Sequence, residues 1–117
     1  MASFQSNHSL AQRTKESKRI LEKYPERIPI IVEKARGESN LPNIDRKKFL
    51  VPQDLTFGQF QFVVRKRIQL KPSDALYCFV GETSLVPVGS TLQQVYAENK
   101  AEDNFLYVKY ASESTFG

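Results

Sequence analysis

The stretch "KKFLVPQDLTFGQFQFVVRKRI" (residues 47–68) changes its hydrophobic period half-way along. At its start Phe49 and Val51 alternate with Lys48 and Leu50, the two-residue period of a β-strand. From Thr56 the period lengthens. Phe57, Phe60, Val64 and Ile68 recur at intervals of three, four and four, which places them on one face of a helix. Thr56 stands three residues before Gln59, the spacing of a capping box, and Leu55 and Phe60 hold the two positions of a hydrophobic staple. A strand therefore leads into an amphipathic helix, with the basic run "RKR" facing solvent near the helix end. The strand carries a puzzle: with Leu50 opposite Phe49 and Val51, neither of its faces is polar throughout.

The same puzzle appears upstream. In "RIPIIVEK" (residues 27–34), Ile28, Ile30 and Val32 alternate with Pro29, Ile31 and Glu33, so both faces are apolar over most of the length. One face must meet the core, and something else must cover the other. The segment before it is the obvious cover. Ser9 and Gln12 have capping-box spacing, and Ser17, Ile20, Leu21 and Tyr24 follow at helical intervals until "YP" ends the run. The stripe is thin and is surrounded by Arg13, Lys15, Lys18, Arg19 and Lys23. Met1 to His8 is expected to add a short, loosely held helical turn. Between the two strands, "GESNLPN" (residues 37–43) reads as a loop.

Downstream, "ALYCFV" (residues 75–80) reads as a third strand and "GETSLVPVG" as a turn-rich connection. Ser90 or Thr91 caps a short helix through Tyr96, and "FLYVKY" (residues 105–110) is a fourth strand. Two strands, a long helix, a strand, a short helix and a last strand is the element order of the ubiquitin-like β-grasp. The expected class is α+β: a ubiquitin-like β-grasp with two additional N-terminal helices. Residues 1–25 would form the helical extension, 26–112 the β-grasp domain and 113–117 a C-terminal tail.

At 117 residues the chain fits one domain. No apolar run approaches the ~20 residues that span a bilayer, and "MASFQSNHSL" lacks the basic start and apolar stretch of a secretory signal, so the chain is expected in the cytosol. Cys78, the single cysteine, sits in an apolar run and reads as a core thiol. Catalysis has little to work with: one histidine, one buried-looking cysteine, no paired carboxylates and no glycine-rich phosphate loop. Neither a metal nor a cofactor is expected. The net charge of +4 is uneven: residues 1–71 carry 15 basic and 7 acidic side chains (+8), and residues 72–117 carry 2 and 6 (−4). A basic half suits an acidic partner, whether nucleic acid, an anionic membrane face or an acidic peptide, and equally suits a plain solvated surface. Basic residues interleave with aromatics in "DRKKFLVP" and "FQFVVRKRI", which keeps a small RNA-binding or cytoskeleton-associated adaptor open as an alternative.

The blocks "KYPERIPIIVEKA", "DRKKFLVPQDLTFGQFQFVVRKRI", "DALYCFV" and "EDNFLYVKYASESTFG" closely resemble the autophagy ubiquitin-like modifiers, the family that includes the GABA-receptor-associated protein. The resemblance covers nearly all of residues 8–117 and departs in the loop from Arg36 to Asn43 and in the turn from Gly81 to Val88. It implies that the carboxylate of Gly117 is activated by an ATP-dependent enzyme, passed through a thioester to a conjugating enzyme and joined to phosphatidylethanolamine. A processing and deconjugating cysteine protease would recognise the tail at Phe116. A glycine suits this role because it lacks a Cβ, so an extended tail can thread a narrow groove. By composition alone "YASESTFG" would pass for a free terminus.

The resemblance also implies capture of receptor peptides with an aromatic residue, two arbitrary residues and an aliphatic one, laid beside the second strand. Carried over by position, the aromatic pocket is Glu16, Ile20, Pro29, Ile31, Lys48, Leu50 and Phe105. The aliphatic pocket is Phe49, Val51, Pro52, Leu55, Phe60 and Val63, and Arg27 and Arg67 meet acidic groups of the ligand. Ile28, Val32 and Phe57 are read as core. The family's partners do not include nucleic acid. Its members are cytoplasmic when free and lie on autophagosome and vacuole or lysosome membranes when lipidated.

Overall fold

In a computed structural model the described residues, 3–113, form α1 (Phe4–Asn7), α2 (Leu10–Lys23), β1 (Arg27–Lys34), β2 (Lys48–Pro52), α3 (Phe57–Arg67), β3 (Tyr77–Val80), α4 (Leu92–Asn99) and β4 (Leu106–Ala111). Three helices begin at complete capping boxes: Ser9 with Gln12, Thr56 with Gln59 and Thr91 with Gln94. Each box satisfies two otherwise unpaired backbone donors, so the local code alone marks these starts. Thr91, and not Ser90, holds the cap of α4.

The sheet runs β2-β1-β4-β3, with β1 and β4 parallel at its centre and both outer pairs antiparallel. This is the α+β β-grasp, in which α3 forms part of the connection that allows β1 and β4 to lie parallel. Ile28, Ile30 and Val32 of β1 and Leu106, Val108 and Tyr110 of β4 share a core with Phe57, Phe60 and Val64 of α3 and with Ile68 at its C-cap. Cys78 is buried in the same core, where loss of solvation pushes its thiol pKa up to about 12, so it behaves as an inert apolar group.

The opposite face of the sheet holds a smaller cluster of Phe4, Ile31, Phe105 and Tyr107, with Ile20 and Ala101 packed against it. The N-terminal turn is not loosely held, which corrects the expectation from sequence. Phe4 is only 4% exposed, its ring meets Phe105 edge-on at 5.3 Å, and its backbone N–H donates to Glu33 Oε2 at 2.9 Å. The reason lies in the thin stripe of α2, which buries only Ser17 fully and leaves the row Ile31, Phe105 and Tyr107 in need of an aromatic cover. His8 belongs to this packing as well, with its ring 4.7 Å from that of Phe4.

Two buried carboxylates pin this second layer. Glu33 accepts from Lys47 and Lys109, both at 3.0 Å, as well as from Phe4. Asp103 accepts from Arg13 Nε, the Tyr107 hydroxyl and the Phe105 N–H, while its carbonyl receives the Ser17 hydroxyl. Among the described residues no buried side-chain polar atom lacks a partner.

Candidate functional site

β2 is an edge strand, and its register shows which backbone groups are open. The Val32 N–H donates to the Lys47 carbonyl at 2.8 Å and the Gln53 N–H to the Glu26 carbonyl at 3.1 Å. Hydrogen-bonded pairs therefore alternate along the ladder as 32 with 47, 30 with 49, 28 with 51 and 26 with 53. Lys48 and Leu50, opposite Ile31 and Pro29, fall at the intervening positions, so their N–H and C=O groups point away from β1. Among the described residues no other strand pairs with that side of β2. Two residues thus offer a donor and an acceptor each to an added strand. Pro29 sits where no bond to β2 is required, and the ladder with β4 on its other side begins only at Ile30 opposite Leu106, so a proline is tolerated at this end of β1.

The residues assigned to the aromatic pocket lie around one side of this edge. Lys48 reaches Glu16 on α2 at 2.5 Å, and its ammonium also stands 5.6 Å from the Phe4 ring centroid. Leu50 is 38% exposed, whereas Pro29, Ile31 and Phe105 are buried and Ile20 is half-buried. Ile31 and Phe105 are packed beneath Phe4, so of this set only Leu50, Lys48, Glu16 and Ile20 can touch a ligand without repacking. On the other side, Phe49 is half-buried and meets Phe60 edge-on at 5.8 Å. Val51 and Phe60 are buried, Leu55 packs on the core, and Pro52 and Val63 are exposed. Only the half-buried and exposed members of this second set can touch a ligand without repacking.

The two guanidinium groups have partners already. Arg67 stands 5.9 Å from the Phe49 ring centroid and 3.6 Å from Asp45 Oδ2. Arg27 Nη1 donates to the Leu50 carbonyl at 3.2 Å, and that carbonyl is one of the two outward acceptors on the edge. Sequence reasoning missed Phe4, Asp45 and Glu33. The only local signal was for Glu33, a charge inside a strand apolar on both faces, which implies buried partners without saying where they come from. Gly117 and Phe116 lie outside the described residues.

A mixed four-stranded sheet of order β2-β1-β4-β3 wrapped on one long helix defines a ubiquitin-like module. The chain belongs to the Atg8 family: residues 12–117 match the family described as "Autophagy protein Atg8 ubiquitin like". It is 55% identical over 115 residues to Autophagy-related protein 8A of Oryza sativa subsp. japonica, covering 98% of this chain and 95% of that protein. It is 54% identical over 116 residues to Autophagy-related protein 8c of Arabidopsis thaliana, covering 99% and 96%. No helix among the described residues is long and apolar enough to cross a membrane.

Proposed function

We propose that this ubiquitin-like autophagy protein is a modifier joined through Gly117 to phosphatidylethanolamine, and that on the autophagosomal membrane it recruits receptors carrying aromatic-x-x-aliphatic motifs. An ATP-dependent activating enzyme and a conjugating enzyme carry the Gly117 thioester, and a cysteine protease processes the tail and reverses the linkage. The chain itself acts as the transferred group and not as the catalyst. Before conjugation it is cytoplasmic. Afterwards the lipid is its anchor, since two acyl chains hold firmly at ~0.8 kcal/mol per buried methylene.

The observation that carries the receptor half is the open edge of β2, where among the described residues Lys48 and Leu50 turn their backbone groups outward beside the exposed Leu50 side chain and half-buried Phe49. The conjugation half is supported by the family match, which runs through residue 117. The RNA-binding alternative loses ground because, of the aromatics that interleave with its basic residues, Phe60 is fully buried and Phe49 half-buried, which leaves Phe62 alone with an open face to stack on a base.

Gly117→Ala is expected to abolish lipidation with purified activating and conjugating enzymes, ATP and phosphatidylethanolamine liposomes, while leaving peptide affinity intact. Normal lipidation of that variant refutes the conjugation half. An aromatic-x-x-aliphatic peptide that fails to bind the parent chain in calorimetry refutes the receptor half.

A further inference from the structure

The loop between β1 and β2 is fastened to the end of β4. It opens with a turn over Ala35–Glu38, closed by the Glu38 N–H on the Ala35 carbonyl at 3.1 Å, and Gly37 at its third position has φ +86°, as a type II turn requires. The turn sends the Glu38 side chain inward, where the residue is 6% exposed. Its Oε2 accepts the N–H groups of Asn40 at 2.8 Å and Leu41 at 3.1 Å. Its Oε1 accepts the Ser112 N–H at 2.8 Å and the Ser112 hydroxyl at 3.0 Å, across 74 residues of chain. Burial alone would raise the carboxyl's pKa, but these donors outweigh it and hold the group ionised.

The position of this contact matters. The β-ladder on β4 ends at Ala111, opposite Tyr77, so Ser112 is the first residue that the sheet no longer holds. Two further bonds tie the far end of the loop to the same place: the Tyr110 hydroxyl to the Pro42 carbonyl at 2.6 Å, and Lys34 Nζ to the Leu41 carbonyl at 3.3 Å. Ladder and clasp together hold the chain through Ser112.

We infer that Glu38 is a positioning residue for conjugation: by clasping Ser112 it fixes the point to which residues 113–117 are joined. This rests on the reading of Gly117 as the conjugated residue. Five residues beyond Ser112 span at most roughly 17 Å. A fixed origin therefore confines Gly117 to a small region that an enzyme docked on the domain can search. With the clasp open, the end of β4 frays and the cost of ordering it falls on the encounter with the enzyme. The loss should appear in KM, because the tail chemistry at Gly117 is untouched once bound.

The test measures thioester formation on the activating enzyme with the full chain, for the parent, Glu38→Ala, Ser112→Ala and the double variant. Glu38→Ala is expected to raise KM about tenfold, the scale of ordering one residue's backbone, with kcat unchanged. Ser112→Ala removes only the hydroxyl and is expected to raise KM about threefold. The double variant should match Glu38→Ala alone, because both act through one contact. Hydrogen exchange at the Ser112 amide should accelerate in Glu38→Ala, and peptide affinity at β2 should stay constant. Unchanged KM in Glu38→Ala with faster Ser112 exchange overturns the inference and leaves conjugation standing. Should Glu38→Ala fail to fold, unchanged KM in Ser112→Ala overturns it equally. A parent chain that forms no thioester overturns the reading of Gly117, and the inference with it.

Discussion

Ile28, Ile30 and Val32 leave β1 on one side to meet α3, while Pro29, Ile31 and Glu33 leave it on the other toward α1 and α2, and the two interfaces are built from different chemistry. The first is a single helix face, apolar throughout, with Phe57, Phe60 and Val64 fully buried. The second is assembled from a buried Phe4, a half-buried Ile20 and two carboxylates, each holding several partners. Apolar packing is insensitive to direction and strengthens with area, so the α3 face supplies most of the stability. Charge-assisted bonds are directional. They fix where α1 and α2 lie against the sheet.

The difference predicts unequal costs. Phe60→Ala should cost about 3–5 kcal/mol by leaving a cavity in the main core. Phe4→Ala should cost only about 1–2 kcal/mol, because α1 can undock while the sheet stays folded. Chemical denaturation of both variants checks this. Equal losses would show that the two layers unfold as one and that the distinction has no energetic meaning.

Acid should separate the layers in the same direction. Burial by itself raises the pKa of Glu33, but the Phe4 N–H, Lys109 and Lys47 together hold it below the ordinary value of 4.5. Since the folded pKa is the lower one, the stabilisation is fully present above pH 4.5 and is lost as pH falls through the folded value. Hydrogen exchange at the Phe4 amide should therefore rise in acid before exchange in β1 does. Glu33→Gln should remove that pH dependence, and simultaneous opening of the two segments would contradict the separation.

The apolar layer was legible in the sequence and the pinned layer largely was not. Capping pairs such as Thr56 with Gln59, and the interval from Phe57 to Ile68, are local signals that propensity and period can read. The bonds from Phe4 to Glu33, from Arg13 to Asp103 and from Glu38 to Ser112 span 29, 90 and 74 residues, and no period links their ends. The apolar character of both faces of β1 was visible, and it did announce a second cover. It did not reveal that Phe4 supplies it, because a lone aromatic near a terminus resembles a free end. The pocket residues came by resemblance, which carries types and positions. Which backbone groups of β2 face outward depends on register, and register is a property of the pair of strands.

The edge strand β2 borders both layers, and Leu50 tests whether that edge takes the proposed peptide. Leu50→Ala should weaken an aromatic-x-x-aliphatic peptide about tenfold, which is about 1.4 kcal/mol, and leave thermal stability and lipidation close to the parent. The side chain is exposed on the face away from Phe49 and Val51, so the main core should not notice its loss. Unchanged affinity in calorimetry would mean that the apolar second face of β2 is only a solvent-exposed margin of the sheet.

The smallest expected effect is also the most specific, because its sign depends on the ligand. Arg27 donates to the outward carbonyl of Leu50, the acceptor that an added strand would use. An incoming peptide must displace the guanidinium, and an exposed hydrogen bond of this kind is worth only about 0.5–1 kcal/mol. A peptide with no acidic residue gives the freed Arg27 nothing in return, so Arg27→Ala should bind that peptide two- to fivefold more tightly. A peptide with an acidic residue near its aromatic anchor offers a new partner, and the same variant should bind it less tightly by a similar factor. Calorimetry with the two peptides on parent and variant, at low and high salt, separates the terms, since only the acidic peptide's loss should shrink with salt. If Arg27→Ala weakens both peptides equally, the guanidinium supports the strand's shape and does not compete for its edge.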